Sequence, residues 1–364
     1  MKILHLPDLV GSHPVSLSQS EKERGWLSTV LSLYPSKFHY PSDISFNLSQ
    51  DQHVLYRLYK HTEAFLRYRS GFDLYHFNFG SSFLHFPSQG WPLLDLPFFE
   101  RRAQKMMTLQ GCDVRQKFPT IERHKRLCST TAACFEKNCY NGVCNSGKRD
   151  TFRQKLVEKA DRYIDTFFAL NPDLLHFLPK EKSQFLPYTM LKFHDIPLKP
   201  GPFFKDDAIT IVHAPTQRGA KGTPYILKAL DDLKKKYGSK INIILVENQP
   251  HEKALKLYAQ ADLFIDQVLV GWYGGVAVEV MKMGIPVAAF IHQGDAEMIQ
   301  DAFQPMVKEL PIIQINPFNS VDVLDRLLQH REGLREWGEK SLAFVNKWHD
   351  PKRVCDWVHS QRKG

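Results

Sequence analysis

The sequence predicts an α/β protein made of two doubly wound parallel sheets. Short apolar runs alternate with helix-compatible segments along the whole chain, which is the pattern of strand–helix–strand units. The alternation breaks once, between Ile196 and Asp207, where IPLKPGPFFKDD places three prolines and a glycine in a short stretch typical of a linker. A chain of 364 residues also exceeds one ordinary core and favours about two domains of ~150 residues each.

The first half contains four predicted strands and one predicted helix. The strands are Lys2–Leu6, Asp73–Asn78, Met106–Gln110 and Tyr163–Ala169, and the helix runs from Leu17 to Gly25. Ligands bind to doubly wound sheets at the carboxyl ends of the strands. We therefore expect this edge of the first sheet to carry Gly11, His76, Asn78, Gln110, Gly111 and Asp113.

The second half restarts the alternation after the linker. In chain order the pattern predicts the strand Ile209–His213, the helix Thr223–Tyr237, the strand Ile241–Val246, the helix Glu252–Gln260, the strands Leu263–Ile265, Pro286–Ile291 and Pro311–Ile315, and the helix Gly333–His349. The runs at 263–265 and 286–291 have no polar alternation, as expected of strands that are covered on both faces. The two alternating halves predict two sheets that face each other across a cleft.

A glycine turn in FIDQVLVGWYGGVAVEVMKMGIPVAAFI is the first candidate site. Gly274 and Gly275 open a helix whose first turn has no bulky side chain, so its free backbone N–H groups could bind an anion. Glu279 follows on the same helix and could accept hydrogen bonds from ribose hydroxyls beside a bound phosphate. The alternative is that the glycines only allow close helix–strand packing and that Glu279 lies on a solvated face.

A second candidate site for an anion follows the strand Ile209–His213. The loop APTQRGAKG carries Arg218 and Lys221 among glycines and leads into a helix. Opposite the Gly274 turn, these two cations would stabilise negative charge that grows on a departing phosphate. The alternative is that both are solvated loop charges.

Composition and charge narrow the class of protein. The chain is 43% apolar and 24% charged, which is typical of a globular protein, and no apolar run approaches the ~20 residues that cross a bilayer. The opening MKILHL has no signal-peptide features, so we expect a cytoplasmic protein. The net charge of +9 favours an anionic ligand, and it is compatible with peripheral contact with an anionic membrane or with a plain solvated surface. No nucleic-acid-binding signature occurs, so no nucleic-acid partner is expected.

Three segments in fixed order carry a family resemblance. VHAPTQRGAKG, YAQADLFIDQ and GWYGGVAVEVMKMGIPV resemble the group 1 glycosyltransferases. Supporting segments are HLPDLVGSHPVSLS, HFNFG, LQGCDVRQ, ALNPDLLHFLP and FVNKWHDP, so the resemblance extends over nearly the whole chain. It implies the GT-B fold, two Rossmann-like domains facing across a cleft, and transfer of a sugar from a nucleotide-diphosphate sugar with retention of anomeric configuration.

The resemblance also implies domains and roles. Residues 1–195 would be an acceptor-side domain with a cysteine-rich insertion at about 112–150, residues 206–347 would bind the nucleotide sugar, and residues 348–364 would return to the first domain. Arg218 and Lys221 would hold the diphosphate, and the Gly274 and Gly275 N–H groups would bind it as well. Glu279 would bind the ribose. On the first domain, donor contacts would come from Gly11, Gln110 and Gly111.

Three positions depart from the family pattern. Gly271 stands where the family commonly has a glutamate that contacts the donor sugar, and Gln110 stands where many members have a histidine. The amino-terminal glycine pair is Gly11-Ser12. These departures leave the identity of the donor sugar open, and because they form a coherent set we expect an altered site rather than an inactive one.

The implied chemistry asks little of side chains. Retaining transfer on this fold is described as front-face attack, in which the leaving phosphate helps to take the acceptor's proton. Asp113 could instead act as a nucleophile beneath the anomeric carbon, and His76 could be a general base or a structural histidine. No Asp-x-Asp pair occurs, so neither a divalent ion nor another cofactor is expected. The acceptor would be a glycan, lipid-linked or other, of a bacterial envelope or secreted polymer. The alternative is a non-catalytic nucleotide-binding or basic interaction protein on the same fold.

The cysteine-rich insertion leaves its own alternatives. Cys128, Cys134, Cys139 and Cys144 lie within 17 residues in a basic surround, and four thiolates could bind zinc. The usual two-residue spacing of zinc ligands is missing, so reduced thiols or a redox-formed pair are the other interpretations. Cys112 beside Arg115 could be a reactive or a packed thiol.

Overall fold

The computed structural model describes residues 1–36, 38–127, 131–201, 203–204 and 207–362. The predicted linker Ile196–Asp207 lies partly outside the described residues. Contacts between Cα atoms divide the chain into two units. Unit 1 comprises Met1–Gln116, Gly147–Leu191 and Pro351–Gly364, and unit 2 comprises Lys117–Ser146 and Lys192–Asp350. Among the described residues, no helix has the length and apolar character needed to cross a membrane.

Unit 1 contains a seven-stranded parallel sheet. Its strands are β1 (Lys2–Leu6), β2 (Leu27–Ser32), β3 (Ile44–Ser45), β4 (Leu74–Asn78), β5 (Gln104–Leu109), β6 (Thr166–Ala169) and β7 (Ser183–Phe185), in the order β3-β2-β1-β4-β5-β6-β7. Every residue of β4 and nearly every residue of β1 is buried. Strands covered in this way read as continuous apolar runs, which is why the sequence predicts β1 with its observed bounds.

The helices of unit 1 are α1 (His13–Glu23), α2 (Val54–Tyr68), α4 (Lys148–Asp161) and α13 (Pro351–Ser360). Helix α13 belongs to the end of the chain, and its Val354, Cys355 and Val358 pack in one core with Ile3 and Leu17. The last residues of the chain therefore help to form unit 1.

A buried carboxylate fixes α13 to the rest of unit 1. Glu21 accepts hydrogen bonds from the Nε2 atoms of His5 and His359, each at 2.8 Å, and from the hydroxyl of Ser28 at 2.6 Å. Burial opposes ionisation here, but the two histidines hold the pKa of Glu21 below its usual value. The carboxylate thus joins α1, β1, β2 and α13 in one polar network.

Unit 2 contains a five-stranded parallel sheet. Its strands are β8 (Ile209–His213), β9 (Ile241–Leu245), β10 (Leu263–Gln267), β11 (Val287–Ala289) and β12 (Ile312–Gln314), in the order β12-β11-β10-β8-β9. Its helices are α3 (Lys117–Arg126), α5 (Arg218–Lys221), α6 (Thr223–Tyr237), α7 (His251–Tyr258), α8 (Gly275–Lys282), α9 (Gln293–Ala296), α10 (Gln304–Lys308), α11 (Ser320–Gln329) and α12 (Gly333–Trp348). The α/β class with two parallel Rossmann-like sheets is confirmed.

The cysteine-rich insertion packs on unit 2, although the sequence places it in the first domain. The backbone N–H of Ala133 donates to the carbonyl of Leu269 at 3.1 Å, and the Tyr225 hydroxyl donates to Glu136 at 2.9 Å. A Cβ on Gly219 would lie 3.3 Å from the Cα of Cys139. Sequence position next to β5 suggests the first domain, whereas these contacts, which join residues far apart along the chain, determine the actual packing.

Candidate functional site

The end of β10 and the glycine turn form one hydrogen-bonded unit. Asp266, fully buried, accepts a 2.6 Å hydrogen bond from the backbone N–H of Gly274. The sequence suggests that the N–H of Gly274 is free to bind a ligand. In the structure this N–H donates to the carboxylate of Asp266 and is therefore not free. Gly275 and Val276 begin α8, and the first N–H groups of a helix have no acceptor within the helix. These are the groups that remain to bind an anion.

Lys221 lies at the same helix start. Its Nζ atom is 2.5 Å from Asp266 Oδ1 and 3.1 Å from the position that a Cβ on Gly274 would occupy. A side chain at 274 would therefore meet the ammonium group. The structure brings Lys221, Gly274 and Gly275 together, and it adds Asp266, which the sequence does not single out.

The turn before the glycines is shaped by one amide side chain. Gln267 donates through Nε2 to the carbonyls of Trp272 and Phe290, and its Oε1 accepts from the N–H groups of Leu269 and Val270. Because every hydrogen-bonding group of this buried amide is used, the loop has one defined path. The neighbouring Asp-Gln sequence thus combines a charge that holds Lys221 with an amide that orders the turn.

The loop that carries Lys221 is held in place by hydrogen bonds of His213 and by close packing at Gly222. His213, at the end of β8, contacts the carbonyl of Ile265 at 2.8 Å and the hydroxyl of Thr223 at 2.9 Å. Burial lowers the pKa of His213 to about 4, so the ring is neutral at pH 7 and serves as a structural hydrogen-bonding group. Gly222 adopts φ of +73°, and a Cβ there would lie 2.5 Å from Val268 Cγ2. Glycine is required at 222 for both conformation and space.

Arg218 does not join this arrangement in the structure. Its guanidinium binds Glu247, which follows β9, through Nε at 2.8 Å and Nη2 at 2.5 Å. The arginine side chain is 55% exposed. The hydrogen bond with Arg218 also lowers the pKa of Glu247. Arg218 is therefore part of a surface ion pair, and its predicted contact with a phosphate would require an exchange of partner.

Glu279 is buried on α8, not solvated. Its Oε1 accepts a 2.7 Å hydrogen bond from Nε2 of His251, the first residue of α7. This hydrogen bond raises the pKa of His251, against the opposing effect of partial burial. The alternative in which Glu279 lies on a solvated face is wrong, and His251 is a partner that the sequence does not identify.

Gly271 adopts a left-handed conformation with φ of +81° in a crowded place. A Cβ at 271 would lie 3.0 Å from the Cβ of His292 and 3.8 Å from Oδ2 of Asp295. Asp295 also pairs with Arg123 at 3.2 Å. A longer side chain at 271 would therefore meet His292 and Asp295.

Two loops at the predicted binding edge of unit 1 lie next to each other. One follows β1 and carries Gly11, and the other follows β5 and carries Gln110, Gly111 and Asp113. A Cβ on Gly11 would lie 3.6 Å from Oε1 of Gln110, so these two residues are neighbours. Gln110 Nε2 is buried and has no hydrogen-bond partner among the described residues. Asp113 accepts hydrogen bonds from the N–H groups of Gln110, Gly111 and Val114 at 2.7–3.0 Å. Burial raises the pKa of Asp113 and these donors oppose the rise. Asp113 therefore orders the rim loop, with both carboxylate oxygens occupied.

His76 lies inside the sheet and not at its edge. It is fully buried at the centre of β4, and its Nε2 is 2.7 Å from the hydroxyl of Thr108 on β5. Burial, first, and the nearby His5 hold the pKa of His76 well below its usual value. The structural alternative for His76 accounts for these contacts, and the enclosed ring is not exposed to a substrate.

Possible metal ligands cluster at two places among the described residues. Two sets bring three ligand atoms within 4.8 Å of one another: Glu21, Cys355 and His359, and His124, His292 and Asp295. In the first set Glu21 is already bonded to two histidines, and in the second Asp295 is paired with Arg123. Cys128 of the predicted cysteine site lies outside the described residues. Cys134, Cys139 and Cys144 are partly buried and form no disulfide.

A family match decides the identity of the C-terminal region. Residues 222–342, which contain the glycine turn, α8 and Glu279, match the family described as glycosyl transferases group 1. This stretch of 121 residues is similar to the group 1 glycosyltransferases. The family resemblance drawn from the sequence is confirmed, and glycosyl transfer is the general activity that the family represents. A search of curated proteins finds no match.

Solved structures place this chain in the GT-B fold. Sucrose-phosphate synthase from Thermosynechococcus elongatus aligns with a TM-score of 0.62 at 14% identity, over 99% of this chain and 98% of the synthase. WaaG, a glycosyltransferase involved in lipopolysaccharide biosynthesis, aligns with a TM-score of 0.57 at 13% identity, over 98% and 99%. UDP-GlcNAc 2-epimerase from Neisseria meningitidis aligns with 0.52 at 14%, over 99% of both chains. At these identities the likeness shows the fold alone.

Proposed function

We propose that the protein is a retaining glycosyltransferase that takes a sugar from a nucleotide-diphosphate sugar and transfers it to a glycan acceptor. The donor would bind to unit 2 at the start of α8. Lys221 and the N–H groups of Gly275 and Val276 would contact the diphosphate, and Glu279 would contact the ribose.

One observation carries the proposal. The ammonium group of Lys221 lies 3.1 Å from the Cβ position of Gly274, at the amino terminus of α8. The positive end of the helix dipole and the lysine cation therefore lie next to each other. Because Asp266 already neutralises Lys221, the added attraction comes from the helix N–H groups and from reorientation of the ammonium group. Charge that grows on the leaving diphosphate is stabilised there.

Glu279 supports the nucleotide part of the proposal. It lies on the same helix as the proposed anion site, and His251 donates to Oε1 of its carboxylate at 2.7 Å. A carboxylate accepts hydrogen bonds with both oxygens, so Oε2 is the atom proposed for a ribose hydroxyl. The protonated form of His251 compensates the buried negative charge of Glu279.

The acceptor's proton is assigned to the leaving phosphate. Asp113 is engaged with three backbone N–H groups and His76 is enclosed in its sheet. These contacts and this burial support a structural role for both residues. Positioning of the two substrates and stabilisation of the leaving group would then supply the catalysis.

The first test is a thermal-shift series with uridine, guanosine, adenosine and cytidine diphosphates and their sugar conjugates, with and without a chelator. A site saturated at ~100 times its dissociation constant stabilises the fold by about 2.7 kcal/mol, which is readily measured. We expect a shift with one base that the chelator does not change. Glu279→Ala should abolish this shift, whereas Glu336→Ala, an exposed control on α12, should leave it intact.

The second test is the reaction itself. Transfer from the donor identified above is followed by NMR, and retention of the anomeric configuration is expected in the product. Inversion would contradict the proposed mechanism. Nucleotide binding without transfer to any glycan acceptor would favour the non-catalytic alternative, and an absence of binding to every nucleotide would overturn the proposed site.

A further inference from the structure

Helix α2 of unit 1 exposes large apolar side chains. Its first half reads VLYRLY, and Leu55 is 67% exposed while Val54 and Tyr59 are each 60% exposed. The complete exposed apolar set on this helix is Val54, Leu55, Tyr56, Leu58, Tyr59 and Leu66. Single exposed apolar residues are normal on a protein surface, but six on one helix of 15 residues form a patch that calls for a partner.

The patch continues beyond the helix. Trp91, 56% exposed, lines the same cavity as Val54 and Leu58. Phe98 is exposed as well, and its ring centroid lies 6.5 Å from that of Phe65 on α2. We call the surface formed by the six apolar residues of α2 with Trp91 and Phe98 the α2 face.

Basic residues accompany the α2 face. Helix α2 and the residue after it carry Arg57, Lys60, Arg67 and Arg69 against a single acidic residue, Glu63. The Nζ atom of Lys60 lies 5.4 Å from the ring centroid of Tyr59 and pairs with Glu63 at 2.7 Å. Arg101 and Arg102 are exposed on the loop that follows Phe98. Long basic side chains beside an apolar surface can extend towards a charged interface.

A cavity lined by both polar and apolar side chains opens beside the α2 face. Its volume is about 540 Å³, and its lining includes Asp8, Tyr34, Arg57, His61, Ser81 and His85. Within the part of the chain that the structure describes, Nε of Arg57 and Nδ1 of His85 have no hydrogen-bond partner. Burial lowers the pKa of His85 to about 4, so its ring is neutral at pH 7. The cavity therefore presents several hydrogen-bonding side chains to a ligand.

We infer that the α2 face docks on a lipid surface containing acidic lipids, and that the cavity beside it takes the polar head of a ligand embedded in that surface. Apolar and aromatic side chains next to several arginines are the composition of helices that lie in the membrane interface. A protein partner would supply its own acidic groups, but the net charge of +9 favours an extended anionic surface.

Vesicle co-sedimentation tests the docking without any substrate. The full chain should bind vesicles of phosphatidylcholine with phosphatidylglycerol, and binding should weaken with rising salt. The partition coefficient of the double variant Leu55→Glu/Tyr59→Glu for these vesicles should be at least tenfold lower. Phe318→Glu is the matched control, because Phe318 is 75% exposed on unit 2 and should retain binding. Equal loss in the control, or undiminished binding of the double variant, would overturn the inference.

The contribution of charge has its own variant. Arg67 and Arg69 are exposed, and their replacement by Gln should weaken binding to the acidic vesicles by roughly fivefold per residue. The same variant should bind neutral phosphatidylcholine vesicles like the unmodified chain. A uniform loss on both kinds of vesicle would contradict a role in recognising acidic lipids.

A second copy of this chain is the competing occupant of the α2 face. Sedimentation velocity in the absence of vesicles should show a monomer for the unmodified chain and for Leu55→Glu/Tyr59→Glu. A dimer that the double variant dissociates would overturn the inference, because the patch would then be buried between copies.

The assignment of a ligand to the cavity rests on the proposed function, since the natural occupant of the cavity would be the acceptor of the transferred sugar. Arg57→Gln should reduce transfer to a lipid-linked glycan in vesicles and leave the response to nucleotides in the thermal-shift series unchanged. If vesicles bind and no transfer occurs to any acceptor, the proposed function fails while the docking stands. If transfer to the lipid-linked glycan is unaffected by Arg57→Gln, the assignment of the cavity is wrong.

Discussion

Lys221 and Arg218 lie three residues apart in one loop, and each is bound to a carboxylate, yet the two ion pairs have different environments. The partner of Lys221, Asp266, has a fully buried side chain and also binds the N–H of Gly274. The partner of Arg218, Glu247, lies at the surface, and the arginine side chain is 55% exposed. The first pair is part of the buried hydrogen-bonded framework of the glycine turn, while the second is a pair at the surface.

The largest expected effect separates the two pairs by stability. Asp266→Ala leaves Lys221 without its buried partner and removes the acceptor of the Gly274 N–H, so we expect a loss of about 3–5 kcal/mol in the free energy of unfolding. Glu247→Ala breaks an exposed pair and should cost only about 0–1 kcal/mol. Urea denaturation of both variants measures the difference. Similar losses in the two variants would show that the pairs are energetically alike.

The next effect concerns the backbone beneath Lys221. Gly222 and Gly90 have nearly the same left-handed conformation, with φ/ψ of 73°/28° and 74°/20°, but only Gly222 is crowded. Gly90→Ala should therefore lose about 1–2 kcal/mol, the cost of the conformation. Gly222→Ala should lower the free energy of unfolding by about 1–3 kcal/mol more, because the added Cβ meets Val268 and overpacks the site.

Equal destabilisation of the two alanine variants would mean that the loop relaxes around residue 222. The packing at Gly222 would then not hold Lys221 rigidly. The comparison of the two glycines thus tests whether the position of the lysine depends on close packing at Gly222.

The sequence predicts most of the strands and the glycine turn because local patterns determine them. Helix α6 and strand β8 have the bounds that periodicity and apolar runs indicate. Strands β2, β3 and β7 and helix α2 are not among the predicted elements. Strand β2, LSTVLS, carries three polar residues, and the first half of α2 exposes its apolar side chains, so neither follows the usual burial pattern.

The candidate site is predicted less completely for a related reason. The glycines and cations have sequence spacing as a signal, but their partners Asp266, Glu247 and His251 reach them from other strands and helices. The placement of residues 117–146 in unit 2 likewise depends on contacts distant in sequence. His76 sits in a strand that the sequence predicts, but strand periodicity does not indicate that its ring is enclosed.

The third prediction concerns ligand binding by the two cations. Lys221→Met should weaken the nucleoside diphosphate that gives the largest thermal shift by roughly tenfold or more, since charge-assisted hydrogen bonds contribute about 1.5–3 kcal/mol. Arg218→Ala should change affinity less and lower turnover more, because its guanidinium must leave Glu247 before it can act. Calorimetric titration and initial rates separate the two. An affinity loss for Arg218→Ala as large as that for Lys221→Met would show that both cations contact the bound nucleotide, and would contradict the predicted difference between them.

The smallest expected effect is a pH dependence from the pair His251–Glu279. Because the hydrogen bond to Glu279 raises the pKa of His251 in the folded protein, the stabilisation is fully present below the unfolded pKa of about 6.5 and is lost as pH rises through the folded value. The free energy of unfolding should therefore fall over this interval. Glu279→Gln should remove that slope, while His330→Gln, a control outside the pair, should retain it. A slope that survives Glu279→Gln would assign the titration to another group and separate His251 from the proposed ribose site.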